Sequence, residues 1–381
     1  MKKQVGVDIG STTVRVVEVK GIDSSGHAVI SKVGFSPLRA GALVAGRVRN
    51  PVAIAQAVSR ALRQAGVAPY GFVAGYSGSD AAVARKIMPA ALKGDNRVKS
   101  LRTMSQEIST SLRLDDAVLD LNQIRTLNRN TPQGPVSMAA VVIGAVSEVE
   151  VAELRKVFRL AKCQPRALDL AGAANMRALV RADADGQEVH TVVDIGATKT
   201  SIATRQGPHL RSLRQVSVGG AAFTRAIMQV TGDDADAAEA RQKVLSLTSS
   251  APSITAELSS GYGTGAPVEA AKGTDSLLDE AVNAVADDLI EQIASSVEND
   301  ASNYNNTLSQ GVVLSGATAQ IPGLRDRLAG RLGIPVQLGR PWAVLERNRS
   351  NLLLLKDGKE DPRMMMELTT AVGLALWKEM P

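Results

Sequence analysis

Two short stretches of the chain combine a carboxylate, a glycine and small hydroxyl residues in the same order. The first, VGVDIGSTTVRVVEV, runs from Val5 to Val19, and the second, VVDIGATKTSIAT, runs from Val192 to Thr204. In each, a β-branched apolar run ends at Asp-Ile-Gly and a second β-branched run follows, which is typical of a buried strand, a tight turn and a returning strand. A single copy is most simply an ordinary hairpin turn. The duplication instead indicates two similar halves that share one chemistry.

The two turns carry groups suited to phosphate and magnesium. Gly10 and Gly196 predict either a positive φ or a close backbone approach, and the small residues after them offer successive backbone N–H groups. Those small residues are Ser11, Thr12 and Thr13 in the first turn and Ala197 and Thr198 in the second. A carboxylate beside phosphate oxygens would repel them, so Asp8 and Asp194 are predicted to face Mg²⁺, directly or through its waters. Facing each other, the turns would clamp a magnesium nucleotide.

Glycines also end two later predicted strands. Gly219 and Gly220 follow a strand over 213–218, and Gly316 follows a strand over 312–314. A glycine at such a point lets a flat ring or another backbone approach closely. Plain loop glycines and an ordinary strand-to-helix turn are the structural alternatives at these two places.

The composition narrows the class of protein. At 381 residues the chain is long enough for two domains with cores of their own. Its 44 basic and 38 acidic residues leave a formal net charge of +6, and aromatic residues make up only 3%. Because the basic residues do not cluster with stacking aromatics, we expect no nucleic-acid partner. The low aromatic content favours a core of Val, Leu, Ile and Ala in alternating strands and helices.

Cysteine content and hydropathy bear on the compartment. The single cysteine, Cys163, excludes an internal disulfide and fits a reducing cytoplasm. The N-terminal MKKQVGVDIG has no signal-peptide pattern. The longest low-charge runs, 136–146 and 364–377, are shorter than the ~20 residues that a membrane helix needs. We therefore expect a cytoplasmic protein with no direct membrane insertion.

A segment of different pattern separates the two halves. Residues 80–163 read as strand, helix, strand, strand, helix, with the first helix over 97–112 and a hairpin turn at 132–134. Because the earlier pattern resumes after this segment, we interpret it as an inserted α+β unit. Farther along, residues 249–274 are rich in Ser, Gly, Thr and Ala and predict a mobile surface loop. A long helix over 276–304 is predicted to follow that loop.

The order of these motifs resembles the two phosphate motifs and the adenosine motif of the actin, Hsp70 and sugar kinase superfamily. Within it, the chain is most similar to the PilM family of type IV pilus assembly, with the cell-division family FtsA next. The similarity covers nearly all of the chain and rests on DIGSTTVRVVEV, GAVSEVEVAELRKVFRLAKCQPRALDL, AEARQKV, LSGATAQIPGL, GIP and TTAVGLALW.

The resemblance implies an α/β fold of actin-like (ribonuclease H-like) duplicated domains around a nucleotide cleft, with an FtsA-like inserted α+β subdomain 1C. The implied subdomains are 1A over 1–79 and 164–190, 1C over 80–163, 2A over 191–222 and 308–381, and 2B over 223–307.

The same resemblance implies a site for ATP or ADP with Mg²⁺. Asp8 and Asp194 would bear on the metal, and the residues of both turns would donate to phosphates. Arg15 stands where relatives usually have Lys and would reach a phosphate, although Arg and Lys differ in geometry. Glu239 and Lys243 match the helix that contacts ribose and base, with a solvated helix face as the alternative for Glu239. The glycines that would line the pocket are Gly219, Gly220 and Gly316.

For function, the resemblance implies an ATP-binding scaffold held at the inner face of the cell membrane through a partner. The implied partners are the N-terminal cytoplasmic tail of a PilN-type membrane protein, bound in a groove involving subdomain 1C, and other pilus assembly components. Oligomerisation stays open. Two alternatives are an FtsA-like cell-division filament protein and a phosphotransferase or ATPase of the sugar kinase superfamily. The last would need a general base close to the γ-phosphate, and the sequence offers no compelling candidate.

We expect ATP hydrolysis to be slow or absent. In the superfamily, the group that activates the attacking water comes from the helix before the second turn, and here that helix offers only Asn175 and Arg177. An amide is no base, and a guanidinium stays cationic. Asp169, immediately before the helix, could serve as a base, but an N-cap is its more common role.

Overall fold

Two β-sheets, each built on one copy of the Asp-Ile-Gly turn, organise the fold. The computed structural model describes residues 3–92, 96, 99–100, 116–132, 134–181, 186–245, 247, 274–346, 351, 355–356 and 359–378. Most of the helix predicted over 97–112 and nearly all of the loop predicted over 249–274 lie outside these residues.

The strands, in chain order, are β1 (Gln4–Ile9), β2 (Thr13–Ile22), β3 (Ala28–Pro37), β4 (Leu43–Val44), β5 (Arg47–Val48), β6 (Tyr70–Tyr76), β7 (Ala82–Pro89), β8 (Ala117–Thr131), β9 (Gly134–Ser147), β10 (Gln164–Leu170), β11 (Val189–Ile195), β12 (Thr200–Gln206), β13 (His209–Val216), β14 (Val312–Ser315), β15 (Val336–Leu338), β16 (Ala343–Leu345), β17 (Leu355–Lys356) and β18 (Lys359–Glu360). The α-helices are α1 (Pro51–Ala65), α2 (Glu148–Leu160), α3 (Ala171–Leu179), α4 (Gly220–Thr231), α5 (Ala235–Val244), α6 (Thr274–Asn303), α7 (Leu324–Leu332), α8 (Pro362–Glu367) and α9 (Thr369–Ala375).

The first sheet has the strand order β10-β6-β1-β2-β3-β16. Its central strand β1 pairs antiparallel with β2 and parallel with β6. Helix α1 covers one face, and a cap residue lies at each of its ends. The Asn50 side chain accepts from the N–H of Ala53 at 3.0 Å, and the helix stops at Gly66, which adopts φ 62°.

The second sheet has the order β15-β14-β11-β12-β13-β7-β9-β8. Its strand β11 pairs antiparallel with β12 and parallel with β14, repeating the pairing of β1 with β2 and β6. The predicted duplication is therefore present in three dimensions. Asp8 and Asp194 occupy equivalent positions near the C-terminal ends of β1 and β11. Each sheet therefore places one carboxylate at the same end of its central strand.

Strands β7, β9 and β8 extend this second sheet. They match three predicted strands of the 80–163 segment, and β7 joins β13 through the Leu213 and Val83 pair. The guanidinium of Arg85 on β7 donates to the carbonyls of Gln206, His209 and Leu210 at 3.0, 2.8 and 3.1 Å. This pairing covers the edge of β13, which would otherwise expose unpaired backbone groups.

The C-terminal region returns to the first sheet. Strand β16 pairs parallel with β3, and helix α9 packs on β1, β2 and α3. The approach is close, because a Cβ placed on Gly373 would lie 1.9 Å from the carbonyl oxygen of Ala174. Strand β16 and helices α8 and α9, which follow the second half in sequence, thus complete the core of the first. No helix in the described part of the chain combines the length and apolar character needed to span a bilayer.

Candidate functional site

The two Asp-Ile-Gly turns have the same internal geometry. The N–H of Gly10 donates to the carbonyl of Thr13, and the N–H of Gly196 donates to the carbonyl of Lys199, each at 3.0 Å. A Cβ on Gly10 would lie 2.9 Å from the Thr13 oxygen, and one on Gly196 would lie 3.1 Å from the Lys199 oxygen. Neither glycine has a positive φ. Of the two reasons predicted for a glycine here, close backbone approach is the one that applies.

The turns meet each other directly. Ser11 Oγ lies 2.7 Å from Thr198 Oγ1, a hydrogen bond between residues 187 positions apart in the chain. Two halves that are separate in sequence are therefore closed against one another at the predicted phosphate turns.

The two carboxyl groups beside this contact are buried, and burial makes their ionised forms unfavourable. Burial raises the pKa of Asp8 from 3.8 to about 6, while Arg15 and Lys199 lower it and Asp194 raises it further. Burial likewise raises the pKa of Asp194, opposed by Ser315, Lys199, Arg15 and Asn175. A buried carboxylate whose pKa is raised by burial and by a second carboxylate favours a bound cation.

Unpaired donors surround Asp194. Ser315 Oγ and Asn175 Nδ2 are buried and have no hydrogen-bond partner among the described residues. Both lower the pKa of the Asp194 carboxyl without reaching hydrogen-bonding geometry to it. The other end of the Asn175 amide accepts from Thr370 Oγ1 at 2.7 Å. Buried donors beside a carboxylate can be satisfied by ordered waters, and such waters can also be ligands of a cation.

These residues fit Mg²⁺ bound together with phosphates. Among the described residues there is no cluster of three or more His, Cys, Asp or Glu, so the chain offers no all-protein cage. Mg²⁺ is usually held by one or two carboxylates, with waters and substrate phosphates as the remaining ligands. Asp8 and Asp194 supply that number of carboxylates, and the hydroxyl of Ser315 can order a water.

Arg15 lies beside Asp8 as its strand register requires. It is paired with Asp8 across β1 and β2, with Nη1 3.7 Å from Asp8 Oδ2. Its Nη2 atom lies 2.8 Å from Glu367 Oε2 on α8. The guanidinium therefore connects a predicted metal carboxylate to the C-terminal region, and its Nε is buried without a partner.

Lys199 and Gln215 belong to the site, and sequence reasoning missed both. The Lys199 ammonium donates to Gln215 Oε1 at 2.5 Å. Burial lowers the pKa of Lys199 to about 8, and Asp194, Asp8 and Asp80 oppose that shift. A lysine inside a turn of otherwise small residues, after Asp-Ile-Gly-Ala-Thr, is the sequence signal that could have identified it.

The later glycines form one wall of the site. Gly316 has φ 88°, and a Cβ on it would lie 2.4 Å from the Ile195 oxygen and 3.0 Å from Asp194 Oδ1. Gly219 packs on the second turn, since its Cβ would lie 2.6 Å from the Gly196 oxygen. The N–H of Gly220 donates to that same oxygen at 3.0 Å, and Gly220 is the first residue of α4.

The structure does not bring the remaining predicted residues into contact with the two carboxylates among the described side chains. Thr12 is exposed, and Thr13 begins β2. Glu239 is exposed on α5, and the side chain of Lys243 on the same helix lies outside the described residues. Thr224 Oγ1 donates to Gln242 Oε1 at 2.7 Å, which ties α5 to α4.

The N-cap role predicted for Asp169 is wrong. The residue at the N-cap of α3 is Leu170, without a side-chain hydrogen bond. Asp169 instead forms a short ion pair with Arg177, whose Nη1 also donates to the Gly373 oxygen at 2.8 Å. Burial raises the pKa of Asp169, and Arg177 lowers it. An arginine two turns along the same helix competes more strongly for the carboxylate than the helix N–H groups do.

Two sheets with equivalent turns that meet over a pair of buried carboxylates define an actin-like α/β protein. The chain belongs to the PilM family, since the family described as Type IV pilus assembly protein PilM matches residues 6–254. The family described as Salactin matches residues 262–352. The comparison with curated proteins finds no match.

The solved PilM-PilN and EutJ structures support the fold. The "PilM-PilN type IV pilus biogenesis complex" superposes with a TM-score of 0.71 at 22% identity, covering 98% of this chain and 97% of that chain. The ethanolamine utilization protein EutJ from Carboxydothermus hydrogenoformans matches with a TM-score of 0.50 at 16% identity, covering 99% of this chain and 90% of that one. MreB 5 of Spiroplasma citri bound to AMPPNP gives 0.49 at 11% identity, covering 92% and 93%.

Proposed function

We propose that this PilM-family protein binds a magnesium nucleotide, ATP or ADP, between its two Asp-Ile-Gly turns. The observation that carries the proposal is the 2.7 Å hydroxyl contact between Ser11 and Thr198, which brings both copies of the turn together beside Asp8 and Asp194. The nucleotide acts as a ligand that sets the relative position of the two halves, a population shift by differential affinity.

Each group has a distinct role in this proposal. Asp8 and Asp194 hold Mg²⁺, which screens the phosphate charge, and the N–H groups of the two turns donate to phosphate oxygens. Arg15 and Lys199 supply the cationic side chains closest to those phosphates. Gly316 leaves room for a flat base, while Glu239 and Lys243 on α5 approach the ribose.

The site is proposed to bind ATP with slow or no hydrolysis. Rapid hydrolysis needs a group that orients or deprotonates the attacking water. The nearest candidate, Asp169, is held by Arg177, and Asn175 is an amide whose oxygen accepts from Thr370. With these side chains engaged elsewhere, tight binding without rapid turnover is the expected behaviour.

We further propose that the protein binds the N-terminal cytoplasmic tail of a PilN-type inner-membrane protein, and that residues 80–163 form the FtsA-like subdomain 1C. The structure named for the PilM-PilN complex supports this partner through its fold. A small pocket lies where α2 meets the first sheet, and we propose that it forms part of the groove for the tail. Its lining includes Ile9, Leu43, Val48, Tyr76, Glu150 and Leu154.

Calorimetry on protein stripped of nucleotide tests the nucleotide proposal. Wild type is expected to bind ATP in a magnesium-dependent manner. Asp8→Asn and Asp194→Asn should each weaken binding about tenfold or more, because each removes a charged ligand. Asp279→Asn, an exposed aspartate on α6, is the matched control and should leave the affinity unchanged. Absence of magnesium-dependent binding by wild type would rule out the nucleotide clamp.

Fluorescence anisotropy with a labelled tail peptide of the cognate PilN-type protein tests the partner. Val48→Lys places a charge in the pocket and should weaken peptide binding. Val136→Lys puts the same charge on an exposed position of β9 and should not. Equal loss in both variants, or none in either, would exclude the pocket as the docking site.

A further inference from the structure

A single side chain bridges the second turn to the start of the 80–163 segment. Gln215 on β13 accepts from the Lys199 ammonium at 2.5 Å and donates from Nε2 to the Gly78 carbonyl at 3.0 Å. Its amide orientation follows from its partners, because an ammonium can only donate and a carbonyl can only accept. Both polar ends of Gln215 are thus used, one toward the cleft and one away from it.

Beyond Gly78, the contacts continue into α2. Tyr76 Oη donates to Asp80, at 2.8 Å from each carboxylate oxygen, and the N–H of Ser147 donates to Asp80 Oδ2 at 2.6 Å. Ser147 is the N-cap of α2, and its Oγ accepts from the N–H of Glu150 at 3.4 Å. Asp80 therefore joins the segment after β6 to the first turn of α2.

The segment 76–80 is packed too tightly to move without its neighbours. A Cβ on Gly78 would lie 2.4 Å from Asp80 Oδ1 and 2.5 Å from Tyr76 Oη. On the other side, Gly46 of the β4–β5 hairpin approaches so closely that its Cβ would lie 2.0 Å from the Ser77 oxygen. A displacement of the 76–80 backbone toward either neighbour would therefore press on Asp80 or the hairpin. Tyr76 and Glu150 also line the pocket described above.

Lys199 has competing anionic partners. Its ammonium bonds Gln215 while Asp194, Asp8 and Asp80 attract it electrostatically. Phosphate oxygens and Mg²⁺ entering beside Asp8 and Asp194 would change every one of these attractions except that of Asp80. The hydrogen bond from Lys199 to Gln215 is therefore a contact outside the turn that a bound ligand would weaken.

We propose that Gln215 is a positioning residue that transmits occupancy of the nucleotide cleft to Asp80 and the N-terminus of α2. Anionic phosphates draw the Lys199 ammonium away from Gln215 Oε1, Gln215 shifts its hold on the Gly78 carbonyl, and the Tyr76, Asp80 and Ser147 contacts readjust. This inference rests on the proposed nucleotide function and adds the route by which the cleft alters the pocket beside α2.

Hydrogen–deuterium exchange on the full chain, with and without Mg-ATP, tests the route. The peptides to follow are those covering 76–82 and 146–152, together with 8–13 and 194–200 as direct reporters of cleft occupancy. In wild type, Mg-ATP should change exchange at the Ser147 amide about fivefold or more, the range of ordinary allosteric coupling. Gln215→Ala should lose this remote response while the cleft peptides still respond to Mg-ATP.

Two further variants sharpen the result. Gln215→Glu keeps an acceptor for Lys199 but removes the donor to Gly78, so it should behave as Gln215→Ala does. Gln337→Ala, an exposed glutamine on the far edge strand β15, should retain the wild-type response. If the remote response survives in Gln215→Ala, the proposed role of Gln215 is wrong. It is also wrong if wild type shows no remote response although its cleft peptides respond. Either result leaves the proposed nucleotide binding standing. If Mg-ATP does not change the exchange of the cleft peptides in wild type, both the proposed nucleotide binding and the proposed role of Gln215 are wrong.

Discussion

Ser11 and Thr198, one from each copy of the Asp-Ile-Gly turn, share a hydrogen bond of 2.7 Å between their side-chain oxygens. Ser11 directly follows Gly10, and Thr198 is the second residue after Gly196, so the bond joins positions near the equivalent ends of β1 and β11. This contact brings together the ends of two strands from separate sheets, each of which carries one of the two aspartates.

A double-mutant cycle on Ser11→Ala and Thr198→Ala should show coupling between the two halves. We expect a coupling free energy of about 0.5–1.5 kcal/mol in urea unfolding of the nucleotide-free protein, the usual net value of a hydrogen bond. Additive single-mutant effects would mean that the two hydroxyls do not interact in solution.

Asp8→Asn should stabilise the nucleotide-free, magnesium-free protein at neutral pH. Because the folded-state pKa of Asp8 is raised from 3.8 to about 6, the folded protein binds its proton more tightly than the unfolded chain does. Ionisation of Asp8 therefore costs stability, by roughly 3 kcal/mol once the pH exceeds both values. The cost vanishes below both values, since the carboxyl is then protonated in either state.

The measurement is urea unfolding of wild type and Asp8→Asn in EDTA at pH 4, 5, 6 and 7. The advantage of the variant should grow between pH 4 and pH 6 and level off above. Adding Mg-ATP should reverse the ranking at pH 7, because only wild type keeps both metal carboxylates. A difference independent of pH would show that Asp8 is not buried as a charged group.

Asp169→Asn should leave the rate of phosphate release from ATP unchanged within about twofold. The reason is that the Asp169 carboxylate pairs with Arg177 and therefore does not act as a general base. Steady-state release by the purified protein with its partner peptide measures this. Turnover of several per second that Asp169→Asn abolishes would make Asp169 the general base and the protein an ATPase.

Gly316→Ala should be destabilising and should weaken ATP binding. Its φ of 88° disfavours any side chain, and the new Cβ would lie 2.4 Å from the Ile195 oxygen at the end of β11. Gly330→Ala is the matched control, because nothing lies within 4 Å of its Cβ and it is inside α7. We expect a loss above about 1 kcal/mol for the first and a gain of about 0.5–1 kcal/mol for the second in thermal unfolding.

Local patterns predicted most of the elements that hold the site. The β-branched runs on either side of Asp-Ile-Gly determine a strand, a turn and a returning strand, and the caps Asn50 and Gly66 determine both ends of α1. These signals act between residues close in the chain, where alternation and backbone dihedral preferences decide the conformation. The repeat of one such pattern was sufficient to predict paired turns.

The tertiary structure alone determined which groups the polar side chains contact. Asp169 was predicted as an N-cap, yet the helix packing leaves Arg177 close enough to take its carboxylate. Arg15 reaches Glu367, which is 352 residues away, and Lys199 finds Gln215 on a neighbouring strand. No periodicity encodes such pairs, because a guanidinium, an ammonium or an amide binds whichever complementary group the fold brings within reach.

The placement of the 80–163 segment was likewise decided by the fold. Its strands were predicted from the alternation of apolar and polar residues. Their attachment to β13 depends on the free edge of that strand, which exists only in the assembled second sheet. The sequence by itself determined the two turns and the carboxylates they present. The tertiary structure determined that Ser11 meets Thr198, because strand pairing and burial bring together residues that no local pattern relates.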